Sequence, residues 1–238
     1  MKILALESSA LAASVAVCED EQLIAQSFQR TGLTHSATLM PMAEDMLKNA
    51  GLTLAEMDVI GVAVGPGSFT GLRIGVSAAK GLAWALDKPC APCSTLESMA
   101  WQVAHMEGEL CPVMDARRKQ VYNARFRSEG GAPVRLTPDR AISLEDLADE
   151  VKNGGKPQIL VGDGALLCYN AFRERDIPAI LAPQHLLFQT AWGVARQGLE
   201  LARTGGLVTA SALAPAYHRL SQAERERLSR LEQETNIH

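Results

Sequence analysis

The chain has 238 residues, 47% of them apolar and 21% charged, with a formal net charge of −4. That length holds two modest domains or one large one, and the composition is that of an ordinary globular protein. The acidic balance excludes a general pull toward nucleic acid, so any RNA contact needs a local patch or a basic partner. No apolar run approaches bilayer length, and the N-terminus lacks a basic start followed by a signal-like core. Five cysteines, an odd number, argue against a disulfide framework and for a reducing, cytoplasmic setting.

In chain order, Lys2–Ser8 reads as a central strand because Ile3, Leu4, Ala5 and Leu6 are continuous. Ala12–Cys18 and Leu23–Phe28, separated by the polar turn Glu19-Asp20-Glu21, complete an antiparallel meander. A helix is expected over Thr34–Ala50, ended by Gly51. With Thr38 as its cap, Pro41 falls in the first turn and is tolerated; otherwise it kinks the helix. Leu39, Ala43, Met46, Leu47 and Ala50 share an arc broader than a one-sided surface helix needs, with Met40 and Met42 at its margins. Methionine margins suit an adaptable contact, so the helix either meets a partner or is deeply seated. His35, at its start, reads as a hydrogen-bonding group, since nothing nearby completes a metal site.

The stretch Ile60–Lys80 is the most informative. Val59–Val64 is a buried strand, stopped by Gly65-Pro66-Gly67, and Ser68 or Thr70 caps a helix over Gly71–Leu86. The glycine spacing G-x-G-x-x-x-G is one residue too long for the dinucleotide fingerprint, and no Gly-Lys-Ser/Thr ending follows. Ile74, Ala78, Gly81, Leu82 and Ala85 gather on one side of the helix. Arg73, Ser77, Lys80 and Trp84 form a narrow stripe on another. Interior glycines each cost about 1 kcal/mol relative to alanine, so Gly71, Gly75 and Gly81 imply close packing. A core helix and a helix that also meets a partner both satisfy this.

Pro89–Cys93 is a short strand, and Ser94 or Thr95 caps a helix to His105. The Cys90-x-x-Cys93 pair supplies only two of the four ligands a structural zinc wants, and reads as buried, inert thiols. A domain boundary is placed at Gly108, giving lobes over 1–108 and 109–210 and a tail over 211–238 that returns to the first lobe. In the second lobe Leu110–Met114 and Val121–Phe126 flank the charged turn Asp115–Lys119, and Ser128–Ala132 is a loop. A helix from Ser143 to Lys152, a strand Gln158–Val161 ending in Gly162-Asp163-Gly164, and helices Ala165–Arg173 and His185–Arg203 follow. Glu224–Glu232 is a charge-alternating solvated helix or is frayed. The second half echoes the first, and two mixed-sheet lobes with helices describe an α/β fold of the actin-like, ribonuclease-H-like (ASKHA) type.

Ile3-Leu-Ala-Leu-Glu-Ser-Ser9 and Val62-Ala-Val-Gly-Pro-Gly-Ser-Phe-Thr-Gly-Leu-Arg-Ile-Gly-Val-Ser-Ala-Ala-Lys-Gly-Leu-Ala83 closely resemble the TsaB (YeaZ) family. Pro112–Arg117 with Val121-Tyr122, and Pro215-Ala-Tyr217 with Arg219, look like its later landmarks. The resemblance implies the two-lobed fold and a part in making threonylcarbamoyladenosine beside the anticodon of tRNA. It further implies a catalytic paralogue, TsaD, and an ATPase, TsaE, as partners, with self-pairing of the isolated chain through the same helical face. The paralogue carries a metal-binding His-x-x-x-His segment; matched from Asp87 and Pro89, it falls here on Thr95 and Met99, neither of which suits such a metal. The resemblance therefore implies a subunit that is not an enzyme on its own and needs no cofactor.

The two turns that cradle phosphate in actin-like kinases read here as remnants. Glu7, Ser8 and Ser9 stand in the first and Asp115 in the second, both without glycine; Gly162 and Gly164 mark a remnant adenosine loop. The expected partner interface is Leu39, Met40, Ala43, Met46, Leu47, Arg73, Ser77, Ala78, Lys80 and Trp84. Two alternative readings compete with this one. An ATP-dependent small-molecule kinase needs glycine phosphate turns. A peptidase needs a His-Glu-x-x-His, a Gly-x-Ser-x-Gly or a Cys/His pair, and the sequence has none. Ser68 reads as a cap rather than a nucleophile.

Overall fold

The computed structural model describes residues 1–152 and 154–217. The first sheet contains β1 (Lys2–Glu7), β2 (Ala13–Glu19), β3 (Gln22–Gln29), β4 (Val59–Gly65) and β5 (Cys90–Ser94), in the order β3-β2-β1-β4-β5. β1, β2 and β3 form the antiparallel meander, and β4 and β5 add to β1 in parallel. β1 and β4 are covered on both faces, which is why they read as unbroken apolar runs. β3 is an edge strand and its side chains alternate between half-buried and exposed over most of its length.

The second sheet repeats that order. Its central path is β10 (Arg140–Ser143), β7 (Gln120–Asn123), β6 (Glu109–Asp115), β11 (Gln158–Val161) and β12 (Ala179–Leu181), again three antiparallel strands followed by two parallel ones. A hairpin of β8 (Phe126–Glu129) and β9 (Ala132–Arg135) extends it. Two lobes with the same strand order make this a two-lobed actin-like, ribonuclease-H-like fold.

The helices are α1 (His35–Asn49), α2 (Phe69–Leu86), α3 (Thr95–Val103), α4 (Leu144–Lys152), α5 (Ala165–Arg173) and α6 (Ala191–Thr204). α1 and α2 cover one face of the first sheet, and α4 and α5 one face of the second. The remaining two helices are exchanged. α3 leaves the first lobe and packs on β6, β9 and β11, whereas α6 leaves the second and packs on β1, β2, β4 and β5. They meet where Gly193 lies directly against the Ser98 carbonyl, and Ser98 Oγ donates to Gln197 Oε1 at 3.0 Å. The expected assignment of all of 109–210 to one lobe thus fails for α6, because Val194, Ala195 and Leu199 fill the face of the first sheet left open by α1 and α2.

Other departures have local causes. The expected strand Val121–Phe126 is two strands in one register against β6, since Pro112 stands opposite Ala124 and brings no amide to the ladder. The expected loop Ser128–Ala132 is the tip of the β8–β9 hairpin, with Gly130 and Gly131 both at positive φ (60° and 82°). The helix expected from His185 begins at Ala191. Gln102 ties down the turn and bend that precede it, donating to the Leu186 and Phe188 carbonyls and accepting from the Thr190 amide. The cap of α1 is Thr34, so Pro41 lies inside the helix, on its exposed side. Residues 211–217 return to the first lobe: Leu213 is buried, Lys80 Nζ donates to the Ser211 and Leu213 carbonyls, and Ala216 N donates to the Val64 carbonyl. Arg219 and Glu224–Glu232 lie outside the described residues.

α2 is seated by its glycines. Ser68 caps it, accepting from Gly71 N at 3.4 Å, and Gly67, Gly71 and Gly75 lie in turn against Ser9 O, Ser8 O and Ser8 Oγ. A methyl group at Gly71 would collide with a backbone carbonyl that cannot yield, whereas one at Gly81 meets open space. Gly71→Ala should therefore lower stability by about 1–3 kcal/mol. Gly81→Ala should raise it by up to about 1 kcal/mol, the helix propensity alone. Urea unfolding of both variants checks the pair, and equal effects would contradict this seating.

Candidate functional site

A cleft of about 850 Å³ separates the lobes, lined by Ser9, Phe69, Asp115, Arg117, Gly162 and Asp163 among others. Both turns expected to be phosphate remnants border it. In the first, Ser9 N donates to Glu7 Oε1 at 2.6 Å; in the second, Arg117 N donates to Asp115 Oδ1 at 2.7 Å. Each turn thus bonds one of its own amides to its own acid. α2 seals the first turn from the other side, with Ser68 N donating to Ser9 O at 2.6 Å and Ser8 Oγ to Gly71 O at 2.9 Å. Gly162, at φ 110°, and Gly164 lie against the Val113 carbonyl and the Met114–Asp115 backbone, so their lack of a side chain serves packing of the chain on itself.

Glu7 is fully buried, and its Oε2 has no hydrogen-bond partner among the described residues. Burial, with Asp163 nearby, pushes the Glu7 carboxyl up to about 7. Burial raises Asp163 as well. Thr95 and Met99, at the places that the resemblance matches to histidines, are fully buried in α3, and Met99 packs in the second lobe's core. All five cysteines are free and buried. Desolvation raises Cys90 and Cys93, which suits inert thiols. Among the described residues no group of three or more His, Cys, Asp or Glu side chains is placed to hold a metal.

The helical face divides the expected interface residues in two. Leu39, Ala43, Met46 and Leu47 belong to the first lobe's own core, at 1–7% exposure, so their apolar surface is already covered. Ala78 is half-buried against that core. The breadth of the α1 arc therefore reflects β2 and β3 beneath it and α2 beside it. Arg73 and Lys80 also serve the chain itself. The Arg73 guanidinium lies 3.8 Å over the Phe69 ring and donates to Tyr217 Oη at 3.0 Å, while Lys80 holds residues 211 and 213. Met40, Ser77 and Trp84 face outward, Trp84 at 75% exposure. A separate groove of about 780 Å³ runs between β3 and α1, with Ile24 and Phe28 exposed on its strand side.

Spacing alone does not reveal the cluster in which Phe69 stacks on Tyr217 at 4.5 Å, since the two are far apart in the chain. Its one sequence trace is Tyr217 in the Pro215-Ala-Tyr217 landmark. His35 Nε2 lies 2.7 Å from the Ala10 carbonyl, so this histidine hydrogen-bonds.

The family model for TsaD, tRNA N6-adenosine threonylcarbamoyltransferase, matches residues 23–175. The tRNA threonylcarbamoyladenosine biosynthesis protein TsaB of Bacillus subtilis is 32% identical over 227 residues, 94% of this chain and 96% of that one. The Escherichia coli protein of the same name is 36% identical over 167 residues, 69% of this chain and 72% of its own. Among solved structures, YeaZ from Pseudomonas aeruginosa superposes with a TM-score of 0.78 at 25% identity, covering 91% of this chain and 99% of that one.

Glu7 makes the cleft sensitive to pH. Its folded pKa of about 7 lies above the ordinary value of 4.5, so the folded state holds the extra proton. That contribution is complete below the unfolded pKa and is lost as pH rises through about 7. Glu7→Gln keeps an acceptor for Ser9 N and removes the titration. The stability of the variant relative to the parent should grow between about pH 5 and pH 8 by on the order of 3 kcal/mol. Urea unfolding at the two pH values measures it, and a constant difference would place the charge elsewhere.

Proposed function

The chain belongs to the TsaB family of tRNA threonylcarbamoyladenosine biosynthesis proteins, and on that premise we propose that it is a non-catalytic assembly subunit, pairing with a TsaD-like transferase. The observation that carries this reading is the cleft: each turn bonds one of its own amides to its own carboxylate, and Thr95 and Met99 are core residues. What the fold keeps is its shape. The transferase partner carries out threonylcarbamoyl transfer, a TsaE-like ATPase joins the assembly, and tRNA binds to the whole. Free, buried thiols support a reducing, cytoplasmic setting, and no helix among the described residues is long and apolar enough to cross a membrane.

The docking face is the outward part of α1 and α2, centred on Trp84 with Met40 and Ser77. A tryptophan exposed at 75% on a helix surface has the character of an interface anchor. About 800 Å² per partner is typical of a specific contact, and the same face serves self-pairing of the isolated chain.

Trp84→Glu should weaken pairing with the transferase by about 2 kcal/mol or more, roughly 30-fold, with thermal melting unchanged. Met46→Glu should instead lower the melting temperature, because position 46 lies in the core. Pulldown and melting of both variants separate docking from folding. Reconstituted tRNA modification should fall to background when this chain is left out; full activity without it would refute the assembly role.

A further inference from the structure

The turn between β6 and β7 carries three successive cations, Arg117, Arg118 and Lys119, at φ angles of 66°, 55° and 57°. The left-handed region disfavours any residue with a β-carbon, and a turn of this kind ordinarily takes glycine or asparagine. Hydrogen bonds hold it at both ends. Ala116 N donates to the Gln120 carbonyl at 3.0 Å, Gln120 N to the Arg117 carbonyl at 3.1 Å, and Leu144 N to the Lys119 carbonyl at 3.1 Å. All three side chains are exposed.

Other arginines of the second sheet are neutralised: Arg125 by Glu109 and Glu150, Arg135 by Glu97 and Asp139, Arg140 by Glu150. Among the described residues no carboxylate pairs with Arg118 or Lys119, and the ion pair from Arg117 to Asp115 is long, at 3.8 Å. A chain of net charge −4 thus concentrates uncompensated positive charge on one turn, which borders the cleft through Arg117. Arg30 also lines that cleft, its guanidinium 4.2 Å over the Phe188 ring.

We propose that this turn grips the phosphate backbone of the RNA substrate, so that the chain makes its own contact with tRNA. The inference rests on the assembly role proposed above. A single phosphate or a nucleotide is the poorer fit, because one amide of each turn is already bonded to Glu7 or Asp115. Adjacent, outward cations on a fixed turn suit an extended polyanion, whose affinity comes from charge neutralisation.

The test is tRNA binding by the full chain in complex with its transferase partner, and by the chain alone, titrated between about 50 and 200 mM salt. Arg118→Ala/Lys119→Ala should weaken binding about tenfold and flatten the logarithmic salt dependence by about 2, near 0.9 for each phosphate no longer neutralised. Arg127→Ala/Lys152→Ala, an equal change of charge elsewhere, should leave the slope alone. Arg118→Gly/Lys119→Gly should lose the same affinity while melting no lower than the parent, because glycine takes positive φ freely. An unchanged slope, an equal loss in the control, or glycine variants that melt lower and still bind tRNA would overturn the proposal. So would a loss confined to nucleotide titration. If the parent chain fails to pair with the transferase, the assembly role falls, and the salt titration of the chain alone still judges the turn.

Discussion

The contact on which the functional shape depends is the seat of α2 on the β1–β2 turn. Gly67, Gly71 and Gly75 bring the helix against Ser8 and Ser9 with no side chain of its own between them. Two hydrogen bonds, from Ser68 N and Ser8 Oγ, tie the same surfaces together. The helix thus closes on one side of the turn, and Glu7 accepts from the turn's own Ser9 amide. The helix is thereby fixed in orientation, with Val76, Ala79 and Ala83 inward and Trp84 outward.

The cleft between the lobes has a mixed lining, in which Arg30 and Arg117 stand with Asp115 and Asp163 among apolar side chains. Glu7 and Asp163 are both drawn toward their neutral forms by burial, which limits the repulsion between the two carboxyls. Asp115 instead bonds to the Arg117 amide at the edge.

Much of this is legible from residues alone, and the limits have physical causes. β1, β4, β11, α2 and α5 can be read within a few residues because their periodicity and punctuation agree: Gly65-Pro66-Gly67 stops a strand, and Ser68 caps a helix. The β8–β9 hairpin carries a readable signal in Gly130-Gly131, yet the same pair is equally at home in a loop. β12 is only three residues long, too short for periodicity to show, and β10, Arg140-Ala-Ile-Ser143, lacks the apolar run that marks the equally short β11. At the site, the wide apolar arc of α1 is legible, but not that its own sheet covers Leu39, Ala43, Met46 and Leu47. An apolar stripe looks the same whether a neighbour in the chain or another molecule covers it. The roles of Arg73 and Lys80 are hidden for a related reason, since their partners lie more than 130 residues away.

The exchange of α3 and α6 carries a consequence for how the molecule comes into being. During synthesis the first five strands emerge long before the helix that roofs one of their faces, leaving Ile3, Ala5, Ala16 and Val59 uncovered until the ribosome has passed Leu199. Neither half is a self-sufficient folding unit, and the embrace at Gly193 and Ser98 forms only when nearly the whole polypeptide is available. Severing the chain near Gly108 would yield two sticky fragments rather than two independent proteins.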